Sequence, residues 1–444
     1  MAARRVLQLA AAACLLWQLP AAAHADDPKR ETPDYDGRAE PTTVGDVLIW
    51  VPRIVLSPVY VVTEYVIRKP LGFLIASAER AQLPQVLYDF FLFGPDHKAG
   101  IVPIAFLDFG FEPSVGLYFF WNDAFAKGHD LKVRGATWGE DWLAGSVSNT
   151  IHLGPDSSIG FHFNAIRRPD LMYFGTGPSS LQHDRARYSS TRLEAGMDGD
   201  YGGARLVRLQ GGVGVRSLSF GPGEYDNKAT IEDRVAEGRF GFPDGYATGY
   251  TVLYNRLMLA LDSRGRGSSP GNGVRFEVSA EQESDVRRSP GAGYLRYGAL
   301  LGGYYDLNEH GRVVSLALGA LFADPLGDRP VPFTELVGLG GAGPMRGFLP
   351  GRIVGRSGVF TTLRYRWPIW IWLDGSLQFG VGNVFDEHLR DFRAGLLRFS
   401  GAIGLESGAP DGSFELLVGL GSETFDHGAQ LDSVRIVFGT NHGF

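Results

Sequence analysis

Apolar and polar residues alternate strictly along Val274–Glu281. Val274, Phe276, Val278 and Ala280 share one face, while Arg275, Glu277, Ser279 and Glu281 share the other. The same period of two recurs where Leu363, Tyr365 and Trp367 oppose Thr362, Arg364 and Arg366. Leu377, Phe379 and Val381 oppose Ser376, Gln378 and Gly380, and Val434, Ile436 and Phe438 oppose Ser433 and Arg435. From about Ile101 onward the chain therefore reads as strands with one oily and one polar face. Upstream the spacing is helical. Val47, Val51, Ile54, Val62 and Val66, then Leu71, Leu74 and Ala78, then Leu83, Leu87 and Phe90 recur mostly at three or four residues, and Pro52, Pro58, Pro70 and Pro84 cut the run into short pieces. Residues 46–99 are expected to form an amphipathic helical segment, lying on the inner membrane boundary, packing at the mouth of a barrel, or capping a soluble core.

Alternation alone does not say which face is inside, because a soluble sandwich buries its oily face and a membrane barrel turns it to lipid. The N-terminus narrows the choice. Arg4 and Arg5, the apolar run Val6–Leu19, and Ala23-His24-Ala25 before Asp26-Asp27 have the layout of a secretory signal over residues 1–25. The sole cysteine, Cys14, lies inside that run, and a lipoprotein reading of it is weaker because the apolar core continues past it. Residues 26–45 read as a flexible, proline-containing leader. No uncharged apolar stretch of helix-spanning length follows; the nearest, Ile54–Thr63, is bounded by Arg53 and Glu64.

The remaining chain, residues 100–444, has room for roughly 14 to 18 strands of membrane-spanning length. Lipid favours closure, since backbone groups in hydrocarbon need partners and an open edge has none. The predicted fold is all-β, a closed antiparallel transmembrane barrel of about 16 strands with both termini on the periplasmic side, after a short N-terminal helical segment. Trp121, Trp138, Trp142, Trp367, Trp370 and Trp372 are placed as an interfacial girdle. Composition agrees: 61 Gly, 29 Phe, 17 Tyr and 8 Trp, with 44% hydrophobic residues, argue for a folded chain. The formal net charge of -7, or -9 once Arg4 and Arg5 are lost with the signal, and the lack of a basic tract argue against nucleic acid.

Catalytic and metal-binding patterns are scarce. None of the six lysines sits in a Gly-Lys-Ser/Thr phosphate loop, H-E-x-x-H is missing, and no histidine pair has zinc spacing, so no metal, cofactor or enzyme activity is expected. His152 and His162 flank a predicted turn and could face each other across a hairpin, read as a solvated or satisfied pair in preference to a ligand set. The most distinctive stretch is residues 331–348, VPFTELVGLGGAGPMRGF, in which Gly338, Gly340, Gly341 and Gly343 permit a tightly looping backbone. Arg346 there supplies five donors in a rigid fork that acidic wall residues could hold.

Met345-Arg346-Gly347-Phe348, preceded by Pro332-Phe333 and Gly340-Gly341, resembles the V-R-G-[FY] loop of the BamA/TamA-type assembly and translocation barrels, the bacterial surface antigen family. Further matches follow in order over residues 170–444. Residues 173–180, YFGTGPSS, resemble an aromatic-x-G-x-G turn. Asp262-Ser263-Arg264 with Pro270 and Gly273 resembles a D-[ST]-R hairpin; Arg366-Trp367-Pro368-Ile369 resembles R-F-P-[IL]; and Gly382-Asn383-Val384-Phe385 resembles G-N-V-F. The chain ends in an aromatic, Phe444, after the strand carrying Val434, Ile436 and Phe438. The resemblance implies a barrel whose first and last strands, near Ile101–Phe109 and Val434–Phe438, meet at a weak lateral seam. It also implies that the loop of Gly340, Gly341, Arg346, Gly347 and Phe348 is threaded into the lumen. By analogy the seam templates strand pairing for client barrels, or the lumen conducts an unfolded chain.

The chain departs from the family in three ways. Residues 26–100 do not read as the POTRA repeats that usually precede the barrel. Gly380 and the Arg364-Tyr365-Arg366 run stand where the usual carboxylate partners of the loop arginine occur, so Asp374, Glu277 or Glu415 is expected to satisfy Arg346. The tail runs five residues past Gly439. Arg275, Glu277, Arg364, Arg366, Asp374 and Glu415 are placed as lumen-facing charges. The expected partners are outer-membrane lipid and unfolded client outer-membrane proteins, with the barrel itself monomeric, and the expected role is protein insertion, translocation or membrane biogenesis in the outer membrane. A passive or gated pore is the rival; an outer-membrane lipase or deacylase is the more remote one, with no motif to support it.

Overall fold

The computed structural model describes Trp50 and residues 90–441, apart from 205, 227, 265–270, 288–292, 371–372 and 408–412. The signal, the leader, nearly all of the expected helical segment, Pro270, Trp372 and Phe444 lie outside the described residues. Sixteen antiparallel strands close into one barrel. They are β1 (Ala99–Asp108), β2 (Ser114–Trp121), β3 (His129–Thr137), β4 (Leu143–Gly154), β5 (Ser157–Tyr173), β6 (Ala186–Ala204), β7 (Val207–Pro222), β8 (Tyr250–Asp262), β9 (Gly273–Asp285), β10 (Gly293–Asp306), β11 (Val313–Pro325), β12 (Ser357–Trp370), β13 (Leu373–Phe385), β14 (Arg398–Glu406), β15 (Ser413–Thr424) and β16 (Leu431–Asn441). Each pairs with its chain neighbour, and β16 returns to β1.

The alternating pattern resolves as a barrel turned outward. Leu253, Leu257, Val274, Phe276, Leu301, Leu316, Leu363, Phe379, Val418 and Val434 line the outer wall at 40–56% exposure, while Glu194, Arg216, Glu283, Gln378, Ser400 and Arg435 are buried inside. Oily residues left exposed on adjacent strands of a closed sheet form the belt that acyl chains cover. Among the described residues no helix is long and apolar enough to cross a membrane.

The long connections, residues 174–185, 223–249, 326–356 and 386–397, gather at the barrel end opposite the start of β1 and the end of β16. One carries the helix α1 (Ile231–Ala236), opened by a capping box in which Asp233 N–H donates to Thr230 Oγ1 and Thr230 N–H to Asp233 Oδ2. The connection 326–356 does not stay outside. It turns into the lumen, where Leu339, Met345, Phe348 and Ile353 pack with Tyr250 and Val252 of β8, Phe360 of β12 and Val384 of β13. The hydrophobic core of this protein is thus the inside of its barrel, filled by its own loop.

Two expectations fail on register and orientation. Trp142 is 3% exposed: it sits two residues before inward-facing Ala144, packs on Ala136 and Ala144, and lies under the Arg168 guanidinium, whereas Trp121 and Trp138 are exposed as a girdle requires. His152 pairs with Ser158, and His162 pairs with Ser148, so the two histidines do not face each other. His152 binds Asp130 (2.9 Å) and His162 binds Asp198 (2.8 Å).

Candidate functional site

Residues 337–355 form a hairpin inside the barrel. It is joined at its base by Val337–Gly338 against Val354–Gly355, and its tip is folded by the Gly341 N–H to Phe348 carbonyl (2.8 Å) and Met345 N–H to Leu339 carbonyl (2.9 Å) bonds. Gly341 has φ +70°, which a residue with a Cβ adopts only at a cost. The tip lies directly on β13–β15. Ser400 Oγ accepts from Gly347 N–H at 2.9 Å, and Gln378 Nε2 donates to the Pro344 carbonyl at 2.6 Å. A Cβ on Gly419 would sit 2.8 Å from Gly347 Cα, and one on Gly347 would overlap the Leu420 carbonyl. Backbone meets backbone here, so both positions have to be glycine. Gly380, standing where the family resemblance expects an acid, lies under Met345, whose sulfur would be 3.1 Å from an added Cβ.

Charges fix the hairpin at three places. At the tip, Arg346 donates to Glu415 of β15 and lies 3.8 Å from Glu406 of β14, which also binds Arg364. Of the three candidate partners of Arg346, Glu415 occupies the position; Glu277 is paired with Arg275, and Asp374 is buried on β13. At the base, Glu335 lies 3.3 Å from Arg216 of β7 and 3.2 Å from Arg296 of β10 and accepts from Tyr250 Oη at 2.7 Å. Glu194, Glu281 and Glu283 crowd the same guanidinium of Arg216 at 3.1–3.2 Å. On the returning limb, Arg352 meets Asp432 of β16 at 2.7 Å with both side chains at most 1% exposed, and Arg398 lies 3.5 Å from the same carboxylate. Residues 173–180 cover this third place, Ser180 accepting from Arg352 and from Arg398 at 2.8 Å each. The loop thus presents a carboxylate where the wall supplies guanidinium, and guanidinium where the wall supplies carboxylates. Buried charges are tolerable only when paired in this way.

The closing seam is the weakest ladder. β16 and β1 share three residue pairs, Val437↔Asp108, Phe438↔Leu107 and Gly439↔Phe106, while no other neighbouring pair in the barrel has fewer than seven. Side chains supply what the ladder lacks. Arg435 of β16 donates to Asp108 of β1 at 2.8 and 3.2 Å, and also to the Gly341 carbonyl of the lumen hairpin at 2.8 Å. Val434, Ile436 and Phe438 point outward on the same strand.

The hairpin motif is local support. Asp262 receives a two-pronged bond from Arg264 (2.7 and 2.9 Å), whose guanidinium lies 4.1 Å over the Tyr304 ring, and Arg275 reaches Asp262 at 3.3 Å. Gly273 opens β9 at φ +147°. Arg366 is half-buried on β12. The Glu335 base, the Arg352–Asp432 pair and the Arg435–Asp108 pair are absent from the sequence reading; the first of these has a signal, since Glu335 lies within the distinctive 331–348 stretch. The lumen keeps a cavity of about 760 Å³ on its β4–β11 side, lined in part by His162, Asp198, Asp200, Arg256, Glu281 and Arg296. Among the described residues no group of His, Cys, Asp and Glu is placed to hold a metal ion.

A closed sixteen-strand barrel with an oily outer belt, a polar lumen and an inward-folded glycine loop is an outer-membrane β-barrel. Residues 237–444 of this outer-membrane barrel match the Omp85 superfamily domain. Among solved structures, BamA from Haemophilus ducreyi lacking POTRA domains 1-3 matches with a TM-score of 0.54 at 16% identity, over 77% of this chain and 70% of that one. CdiB from Acinetobacter baumannii gives 0.48 at 13% identity, over 77% of this chain and 59% of that one. No curated protein matches the chain by sequence.

Proposed function

We propose that this barrel inserts client barrel proteins into the outer membrane or passes unfolded chains across it, working as a monomer with lipid and client and without chemistry of its own. The observation that carries this reading is the seam: three residue pairs close a barrel whose other ladders have seven or more. A closed sheet has no edge to offer a strand, so the ladder that opens most readily is the place where one can add. The lumen hairpin, tied to β16 through Arg435 and Asp432, keeps the barrel from being an open tube in the meantime. Depleting the protein is expected to lower the amount of other folded barrel proteins in the outer membrane. Supplying a Leu107→Cys/Phe438→Cys variant, whose register partners can be bridged by a disulfide, is expected to restore them only when reduced. Unchanged barrel levels on depletion would remove the assembly role.

The lumen cavity favours a second reading, a gated pore. Steady single-channel conductance of the unmodified protein would support it, while rare, noisy openings belong to a plugged lumen.

A further inference from the structure

β1 has two edges, and β2 takes one of them from Ala99↔Trp121 to Phe106↔Ser114. The other edge is shared. β16 occupies it at Phe106–Asp108, and the chain's own Leu92–Phe93, turned back through Gly94 (φ +84°) and the 3-10 turn Pro95–His97, pairs antiparallel with Gly100 and Ala99. Side chains seat this short strand. Leu92 is 5% exposed and lies against Gly100, where an added Cβ would be 2.6 Å from Leu92 Cδ2; the Phe93 ring stacks on Phe119 of β2 at 6.4 Å and 24°.

Pro103 separates the two occupants. Phe109 N–H donates to the Ile436 carbonyl at 2.9 Å, and amides alternate between the two edges of a strand, so the nitrogens of Leu107, Ala105 and Pro103 face the seam as well. Pro103 has no N–H to give, which breaks the donor row between the stretch held by β16 and the stretch held by Leu92–Phe93. Gly439, at φ +145°, marks the end of the β16 ladder, where an added Cβ would lie 2.7 Å from Phe106 Cα.

We infer that Leu92–Phe93 is a resident strand that holds the terminal part of the β1 seam edge and has to leave before another polypeptide strand can pair there. This rests on the proposed role of the seam and adds its regulation: the segment entering the barrel competes with whatever the seam receives. A two-residue strand makes few backbone bonds, so it yields to a longer one, yet while seated it denies a passing strand the exposed donors and acceptors.

The test uses the full chain in vesicles of phosphatidylethanolamine and phosphatidylglycerol, with a photoreactive phenylalanine analogue replacing Ile101, an exposed outward residue of β1. The probe strand is a synthetic peptide of residues 431–441, LDSVRIVFGTN. Phe93→Pro, which removes an edge-facing amide, is expected to raise peptide capture several-fold over the parent. Phe93→Cys/Ala99→Cys is expected to crosslink on oxidation and to reduce capture to background, with reduction restoring it. Equal capture in all these forms, or failure of the cysteines to join under oxidant, overturns the inference. The disulfide arm keeps the test independent of how Phe93→Pro folds. Capture is read without any client, so its failure leaves the outer-membrane role standing, and a null depletion result leaves the resident strand standing.

Discussion

Arg435 on the last strand and Asp108 on the first are joined at 2.8 Å across the barrel's thinnest ladder, and a second arm of the same guanidinium holds the lumen hairpin at the Gly341 carbonyl. One side chain therefore touches both edges of the seam and the loop that fills the barrel. Loosening the loop and loosening the seam are coupled through it.

Arg435→Ala leaves the Asp108 carboxylate buried without its partner, a change of about 3–5 kcal/mol when one member of a buried pair is removed. The barrel is expected to lose its compact gel mobility in SDS at a distinctly lower temperature than the parent. Asp108→Leu combined with Arg435→Met removes both charges and is expected to recover most of that resistance, while the Gly341 tie stays lost. Full resistance in Arg435→Ala would show that the pair does not hold the seam.

Gly347→Ala and Gly419→Ala each place a methyl group into opposing backbone and are expected to push the hairpin tip off the wall. Limited proteolysis from outside should then cut within residues 339–349. Gly303→Ala, where an added Cβ has open space, is the control and should behave as the parent.

Arg346→Ala removes the tip's bond to Glu415 but none of the glycine contacts, so its effect is expected to be smaller than that of Gly347→Ala. Planar-bilayer recordings should show more frequent openings with heat-resistant barrel formation retained. Glu415→Gln should give a milder version, since Glu406 remains 3.8 Å from the guanidinium. Identical recordings from mutant and parent would remove the lock role of Arg346.

Glu335→Gln takes one carboxylate from the base cluster, where Arg216, Arg296 and Tyr250 all approach it. Loss of a charged partner from buried donors costs about 1–3 kcal/mol or more, so thermal unfolding in detergent should shift downward. Glu277→Gln, in the half-buried pair with Arg275, which has more solvent around it than the Glu335 cluster, is expected to shift it less.

The barrel itself was legible because its signal is local. Val274–Glu281 alternates within eight residues, and nothing beyond the strand is needed to see two faces. The distinctive loop was legible too, through its glycines and Arg346. What stayed hidden depends on register between distant strands. Glu415 meets Arg346 across 69 residues of chain, and Asp108 meets Arg435 across 327, so neither pairing has a local pattern. His152 and His162 flank their turn as expected, yet unequal offsets from it put each opposite a serine. Trp142 was misplaced because aromatic content at a strand end does not fix direction; its even spacing from inward Ala144 does. Leu92–Phe93 sits at the end of a helical pattern, and two residues are too few to display a period.

The hairpin divides the interior unequally. It is pressed onto β13–β15 and anchored toward β16, so the open space of about 760 Å³ lies beside β4–β11. In the two roles proposed above, an ion path would run on the hollow side and strand pairing would take place on the other side of this partition. Recoding the carboxylates and guanidiniums of the hollow side should tune what permeates while leaving the opening edge to behave as before.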